Sequence, residues 1–347
     1  MTEHSSPADE GAASSVAGHR NADPLVTLPG TDVRFRPLGL GTWAWGDRYT
    51  WGMGGYDTSL TEATIAGAFS ASLDGGITLL DTAEVYGKGE SERIIGRLLR
   101  TGDVDRSAVV LATKWFPSPR QINVKSAMRS ALEASLERLG VDQVDLYQVH
   151  GPTSLRGHNV IAEGLASLVA DGLTKSVGVS NYSVREMMSM QAQLARRGTA
   201  LASNQIEFSL LRDLPLTSGM LQRCRELGIV VLAYSPIGQG RLSGKYSAQN
   251  PPPGKRGFAA HPMETVDRVV AELRSIGNRH GRAPSQVALR WLIQHGTVPI
   301  PGAKNAEQAM QNAGALGWQL TSEEMEQLDR ASLPPRWTIS NRVWQHG

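Results

Sequence analysis

From about residue 35 onward, short apolar runs alternate with longer stretches of helical period. Runs such as Ile77-Thr78-Leu79-Leu80 and Val109-Val110-Leu111-Ala112-Thr113 have the length and β-branched content of buried strands. The pattern predicts eight strands, near 36–41, 77–81, 108–113, 144–149, 174–180, 202–206, 229–234 and 297–301. Helices are predicted near 61–74, 90–99, 123–139, 158–171, 183–197, 216–227, 264–293, 305–316 and 321–332. In the third of these, Met128, Leu132, Leu136 and Leu139 make an apolar stripe, and Arg129, Glu133, Glu137 and Arg138 a wet one. The last opens on Thr321 with Glu324 three residues on, a capping pair. Eight βα alternations favour a closed (β/α)₈ TIM barrel, with an open doubly wound sheet as the alternative. That alternative lacks its signature, because Gly39-Leu40-Gly41-Thr42-Trp43 is too short for a dinucleotide glycine turn and leads into an aromatic loop.

Composition narrows the class. At 347 residues, the chain suits one α/β barrel over residues 25–335, flanked by a polar, aperiodic and disordered tail at 1–24 and a C-terminal tail at 336–347. Lys plus Arg number 35 against 33 Asp plus Glu, and no basic stripe points to nucleic acid. No apolar run approaches the roughly 18 residues that would suggest a membrane span. Glu3, Asp9 and Glu10 are out of place in a secretory or transit peptide, so cytoplasmic residence is expected. Cys224 is the single cysteine, which excludes an intramolecular disulfide and reads as a buried small apolar residue. The sequence leaves oligomeric state open.

Candidate chemistry lies at the strand ends. Asp81, Lys114 and His150 each close one of three consecutive predicted strands, and Tyr86 follows Asp81 by five residues. In a parallel barrel the carboxyl ends of all strands open on one face, so these four groups can converge. A tyrosine is a weak acid, with a free pKa of ~10. An adjacent Lys114 ammonium is expected to stabilise its phenolate and lower that value, with Asp81 holding the lysine charged and in place. His150 can then donate to a substrate oxygen, and the four together fit carbonyl reduction. A barrel enzyme using Asp81 and Glu84 around a metal is a poorer fit, for want of a His and carboxylate ligand cluster.

Two connections are long enough to suggest function. The one from Ala44 to about Ser59 carries Trp45, Trp51, Met53 and Tyr56 and reads as an apolar pocket wall. The other, from Ser235 to about Pro262, carries Gly238, Gln239, Gly240, Arg241, Lys255 and Arg256 and reads as a lid for an anionic ligand. Trp43, Trp45, Trp51 and Trp115 could equally wall a planar carbonyl compound or close the core.

Five segments in order, Asp81-Thr82-Ala83-Glu84-Val85-Tyr86-Gly87, Ala112-Thr113-Lys114, Gln148-Val149-His150, Gly178-Val179-Ser180-Asn181-Tyr182 and Ala233-Tyr234-Ser235-Pro236-Ile237-Gly238, resemble the aldo-keto reductases. The resemblance spans about residues 33–332. It implies a (β/α)₈ barrel that reduces aldehydes or ketones with NADPH, yielding NADP+. It implies Tyr86 as acid, Lys114 and Asp81 tuning it, and His150 orienting the carbonyl. It places the nicotinamide carboxamide against Ser180, Asn181 and Gln205, the ring on Tyr234, and the cofactor's inner half near Thr42 and Trp43. Ser235, Pro236, Ile237, Gly238, Gln239 and Arg256 would follow the cofactor outward. Gly302 and Lys304 would meet the 2′-phosphate at a helix start, with Gln308, Gln311 and Asn312 near the adenine. Gln311 stands where the branch that includes potassium-channel β subunits often carries Glu, and Lys304 is one cation where other branches cluster several. His150 matches the reductases where some regulatory branches carry Asn, although a cofactor-bound regulatory or sensor subunit with slow chemistry is the alternative function. Trp43-Ala44-Trp45-Gly46 and Pro301-Gly302-Ala303-Lys304 are similar to a subgroup of bacterial and plastid oxidoreductases. The partner implied is a small carbonyl substrate.

Overall fold

The sheet is built by eight parallel strands, each paired with the next in sequence. In the computed structural model, residues 23–46, 59–102, 104–254, 260–336 and 343–347 are described. An antiparallel hairpin of β1 (Val26–Thr27) and β2 (Arg34–Phe35) precedes the barrel strands. These are β3 (Gly39–Gly41), β4 (Leu79–Asp81), β5 (Val110–Trp115), β6 (Val144–Val149), β7 (Thr174–Ser180), β8 (Leu201–Glu207), β9 (Val230–Tyr234) and β10 (Val298–Pro299). The first and last approach through a parallel bridge between Gly41 and Gly302, and the Gly41 N–H donates to the Pro301 carbonyl at 3.0 Å. A Cβ on Gly41 would stand 2.8 Å from the Ile300 carbonyl oxygen, so the seam requires glycine there. The nearly closed barrel bears out the expected (β/α)₈ architecture.

The helices follow the expected pattern with two differences. One predicted helix over 264–293 is two, Met263–His280 and Pro284–Gln294. Gly281, at φ 62°, ends the first in the left-handed conformation, and Pro284 opens the second where its missing N–H costs nothing. The other predicted helix, 216–227, divides at Gly219 into Leu214–Thr217 and Met220–Leu227. Ser183 and Glu186 form a capping box on Val184–Ala195, as Thr321 and Glu324 do on Ser322–Ala331. Among the described residues, no helix is long and apolar enough to cross a membrane.

Two cores result from the two-residue period of the strands. Outward positions such as Leu111, Trp115, Tyr147 and Ile206 pack under the helices. Cys224 belongs to this layer, buried with its sulfur 3.4 Å from that of Met187 and 3.7 Å from that of Met220. Inward positions Leu79, Val110, Ala112, Leu146, Leu232, Val298 and Ile300 form a second cluster, onto which the hairpin packs Leu28, Val33 and Phe35. One step further along each strand the inward positions turn polar. Asp81 lies beyond Leu79, Lys114 beyond Ala112, and Gln148 and His150 beyond Leu146.

A register shift extends that polar layer to β8. Val177 pairs with Leu201 but Gly178 pairs with Ser203, so Ala202 is the extra residue of a bulge. Ala202 joins the inner apolar cluster, and strict alternation from it would turn Gln205 outward. The bulge resets the phase: Gln205 reaches Asp81 inside, while Ile206 packs outside. Gly178 makes the bulge possible, since a Cβ there would lie 2.1 Å from Ser203 Oγ and 3.1 Å from Gln148 Cγ. Gly178→Ala is expected to cost about 1–3 kcal/mol in urea unfolding, and adding Ser203→Ala should regain part of the loss. A second substitution with no effect would place the crowding elsewhere.

Candidate active site

The site is assembled at the carboxyl ends of β4, β5 and β6. Lys114 is fully buried, and its Nζ donates to Asp81 Oδ2 at 2.6 Å, to the Thr82 carbonyl at 2.7 Å and to Tyr86 Oη at 3.3 Å. Asp81 Oδ1 accepts from Gln205 Nε2 at 2.8 Å and from Gln148 Nε2 at 3.4 Å. The carboxylate is thus held on both oxygens, and a buried ion pair is tolerable only when its remaining lone pairs are used in this way. Tyr86 begins a short 3₁₀ turn, Tyr86–Gly89, in which Gly87 and Lys88 have positive φ. Its ring meets His150 edge-on, with centroids 5.7 Å apart. The four residues named from the sequence therefore converge, with Asp81, Tyr86 and His150 lining one cleft and Lys114 behind them.

The electrostatics depart from expectation at Tyr86. Its phenol lies well above the ordinary tyrosine range, chiefly through burial and secondarily through the Asp81 charge. The expected lowering by the ammonium is therefore reversed, because desolvation and the carboxylate outweigh it. Burial pushes Lys114 down, opposed by Asp81. His150 is held well below the usual imidazole range by burial and by the Lys114 charge, so the ring is neutral at physiological pH. The result is a protonated phenol beside a neutral imidazole.

A cleft of about 620 Å³ runs from these groups along the rim of the barrel. Trp43, Ser180, Asn181, Gln205, Tyr234, Ser235, Pro236, Ile237, Gln239, Gly302, Lys304, Gln308, Gln311 and Asn312 line it, as anticipated for a cofactor. Asn181, Ser235 and Gln239 have φ of 63°, 51° and 55°, a conformation that non-glycine residues rarely adopt and that clusters at functional sites. Thr42 is buried away from the cleft, with its hydroxyl donating to the Asp81 carbonyl at 2.9 Å and lying 2.8 Å from Ser91 Oγ. Gly238 shapes the loop instead of walling the cleft; its missing Cβ leaves room for Leu211. Arg241, expected as a cation for the ligand, is buried and donates to the Gly238 carbonyl at 3.0 Å. Arg256, Trp51, Met53, Tyr56 and Lys255 lie outside the described residues.

At the expected phosphate site, helix Ala306–Ala313 begins beside Lys304, but two N–H groups there are already used. The Lys304 N–H donates to Gln308 Oε1 and the Gln308 N–H to Asn305 Oδ1. Lys245 joins Lys304 on the cleft wall there. Lys245 was missed in the sequence, although Gly244-Lys245-Tyr246 directly follows the glycine-rich loop. The aromatic wall also differs. Trp45 and Trp115 are buried in the core, and Trp344 from the C-terminal tail stacks on Phe116 at 5.5 Å and meets His150 edge-on at 5.5 Å. Among the described residues, no three His, Cys, Asp or Glu side chains are grouped to hold a metal.

Residues 37–333 match the model of the Aldo/keto reductase family. The chain belongs to that family. It is 37% identical over 320 residues to the chloroplastic pyridoxal reductase of Arabidopsis thaliana, covering 89% of this chain and 86% of that protein. It is 38% identical over 307 residues to an uncharacterized oxidoreductase of Mycobacterium bovis, covering 85% of this chain and 88% of the relative. Among solved structures, an aldo-keto reductase of Klebsiella pneumoniae in complex with NADPH superposes with a TM-score of 0.70 at 29% identity, covering 91% of this chain and 97% of that one. The glycerol dehydrogenase of Gluconobacter oxydans gives 0.76 at 27% identity, covering 91% and 98%. This aldo-keto reductase is accordingly an NADP-dependent oxidoreductase of carbonyl compounds. The cleft fits that cofactor, since its lining offers amide side chains, an aromatic ring and two lysines.

The buried pair carries a prediction. Lys114→Met leaves the Asp81 charge without its partner and is expected to cost about 3–5 kcal/mol of stability. Adding Asp81→Asn should recover part of that in a denaturant titration. Additive losses would show that the two do not act as a pair.

Proposed function

We propose that this enzyme reduces planar aromatic aldehydes of the pyridoxal class, with Tyr86 as the proton donor to the carbonyl oxygen. The observation that carries the reading is the contact of Lys114 Nζ with both Asp81 and Tyr86 Oη beside His150. The ammonium donates to Oη, so the phenol's own proton is directed elsewhere and is available to a carbonyl oxygen in the cleft. As that proton leaves, the ammonium at 3.3 Å stabilises the growing phenolate, a charge the buried site would otherwise resist. Among the described residues, His150 Nδ1 is buried without a partner, which favours the tautomer with its hydrogen on Nε2, since an unpaired acceptor costs less than an unpaired N–H. The Nε2–H then orients the carbonyl. Ser180, Asn181, Gln205 and Tyr234 would hold the nicotinamide of NADPH, from whose C4 the hydride would come.

Support for a planar substrate comes from the parallel plates of Phe116 and Trp344, tilted by 17°, beside His150. An aromatic aldehyde can lie along them with its carbonyl toward Tyr86. The pyridoxal reductase relative bears a name consistent with that choice. Lys304 and Lys245 are assigned to the 2′-phosphate, the first as the principal contact.

Activity tests this directly. kcat/KM for pyridoxal and 4-nitrobenzaldehyde should exceed that for propanal by at least about tenfold, and Tyr86→Phe should lower kcat by about 10²–10⁴ with NADPH still bound. Because burial raises the phenol, the reduction rate should hold level through neutral pH and fall only where Tyr86 loses its proton, above the usual tyrosine range. Full turnover by the Phe variant would remove Tyr86 from the mechanism. Separately, Lys304→Ala should raise the Kd for NADPH at least about tenfold and leave that for NADH nearly unchanged, as read by fluorescence titration.

A further inference from the structure

The C-terminal residues 343–347 are docked into the barrel mouth through Trp344, Gln345, His346 and Gly347. Trp344 stacks on Phe116, and Gly151 is the glycine that admits it, since a Cβ there would lie 2.7 Å from the indole. The His346 N–H donates to the Asn181 carbonyl at 3.1 Å, and its imidazole lies 3.1 Å from Glu186. Arg212, buried beside Glu207, donates to the Gly347 carbonyl at 2.7 Å. Gln345 is itself buried, and its Nε2 donates to Glu207 and, at 3.0 Å, to Tyr234 Oη. Tyr234 passes the bond on, donating to Asn181 Oδ1 at 2.8 Å.

We infer that Gln345 is a positioning residue for the nicotinamide end of the cleft, acting through the Tyr234 hydroxyl on Asn181, so that docking of the C-terminal segment and cofactor binding favour each other. The inference rests on the reading of Tyr234 and Asn181 as the nicotinamide contacts. A phenol that accepts from one side chain while donating to the next has its hydroxyl held in one direction, and because a phenolic O–H prefers the ring plane, rotation of the ring is restricted. Gln345 therefore sets the face on which a flat ring would rest. The same bond fixes Asn181 Oδ1, in a residue already held at positive φ. Glu207 anchors the chain of contacts from beneath, because it accepts from Gln345 and pairs with Arg212. By reciprocity, whatever strengthens the ring contact also strengthens attachment of the segment.

A double-mutant cycle read by NADPH binding tests the inference. Gln345→Leu should raise the Kd for NADPH roughly three- to tenfold, whereas in a Tyr234→Phe background the same change should have almost no effect. In the unsubstituted protein, hydrogen exchange at the His346 amide should slow when NADPH is added, and Gln345→Leu should abolish that response. An unchanged Kd in Gln345→Leu, or an equal rise in both backgrounds, would overturn the positioning role. So would exchange indifferent to NADPH. Tyr234→Phe and Asn181→Ala variants that both bind NADPH as tightly as the unsubstituted protein would instead overturn the placement of the nicotinamide.

Discussion

An ammonium sealed inside a β-barrel is the constraint on which the rest depends. Lys114 has no exposed surface, and burial works against its charge. Asp81 at 2.6 Å holds the charge, but only because two glutamine amides satisfy the other carboxylate oxygen. The pair therefore reaches across strands β4, β5, β6 and β8. A polar layer of this kind stabilises the fold little; its contribution is to fix where a single Nζ stands relative to a single phenol.

Much of this was legible in the chain. Apolar runs ending in Asp81, Lys114 and His150 told both the architecture and the face on which these side chains meet, because strand ends in a parallel barrel share one rim. The shift in Tyr86 was not legible. Its direction is a balance between an adjacent ammonium and desolvation by surroundings distant in sequence, and residue types do not carry that balance. The orientation of Gln205 was equally hidden, since alternation is read from local sequence and the bulge at Ala202 depends on pairing with a strand more than twenty residues away.

The aromatic residues show the same division. Trp45 and Trp115 could by sequence wall a pocket or close the core, and they do the second: Trp45 puts its indole N–H on the Ala303 carbonyl, and Trp115 falls on the outward phase of β5. Trp344, in a segment with no strand or helix periodicity, stands beside His150. Tail residues carry no pattern from which docking can be inferred; their place is set by what they meet, here Phe116, Glu207 and the glycine at 151.

The single thiol in the chain has a practical meaning. Cys224 is packed between two methionine sulfurs, and burial pushes its pKa up to about 12, so little thiolate exists at neutral pH. Reaction with an alkylating reagent then requires helices Val184–Ala195 and Met220–Leu227 to part around the sulfur. The molecule carries its own chemical clock for opening of the helical layer, one set away from the cleft.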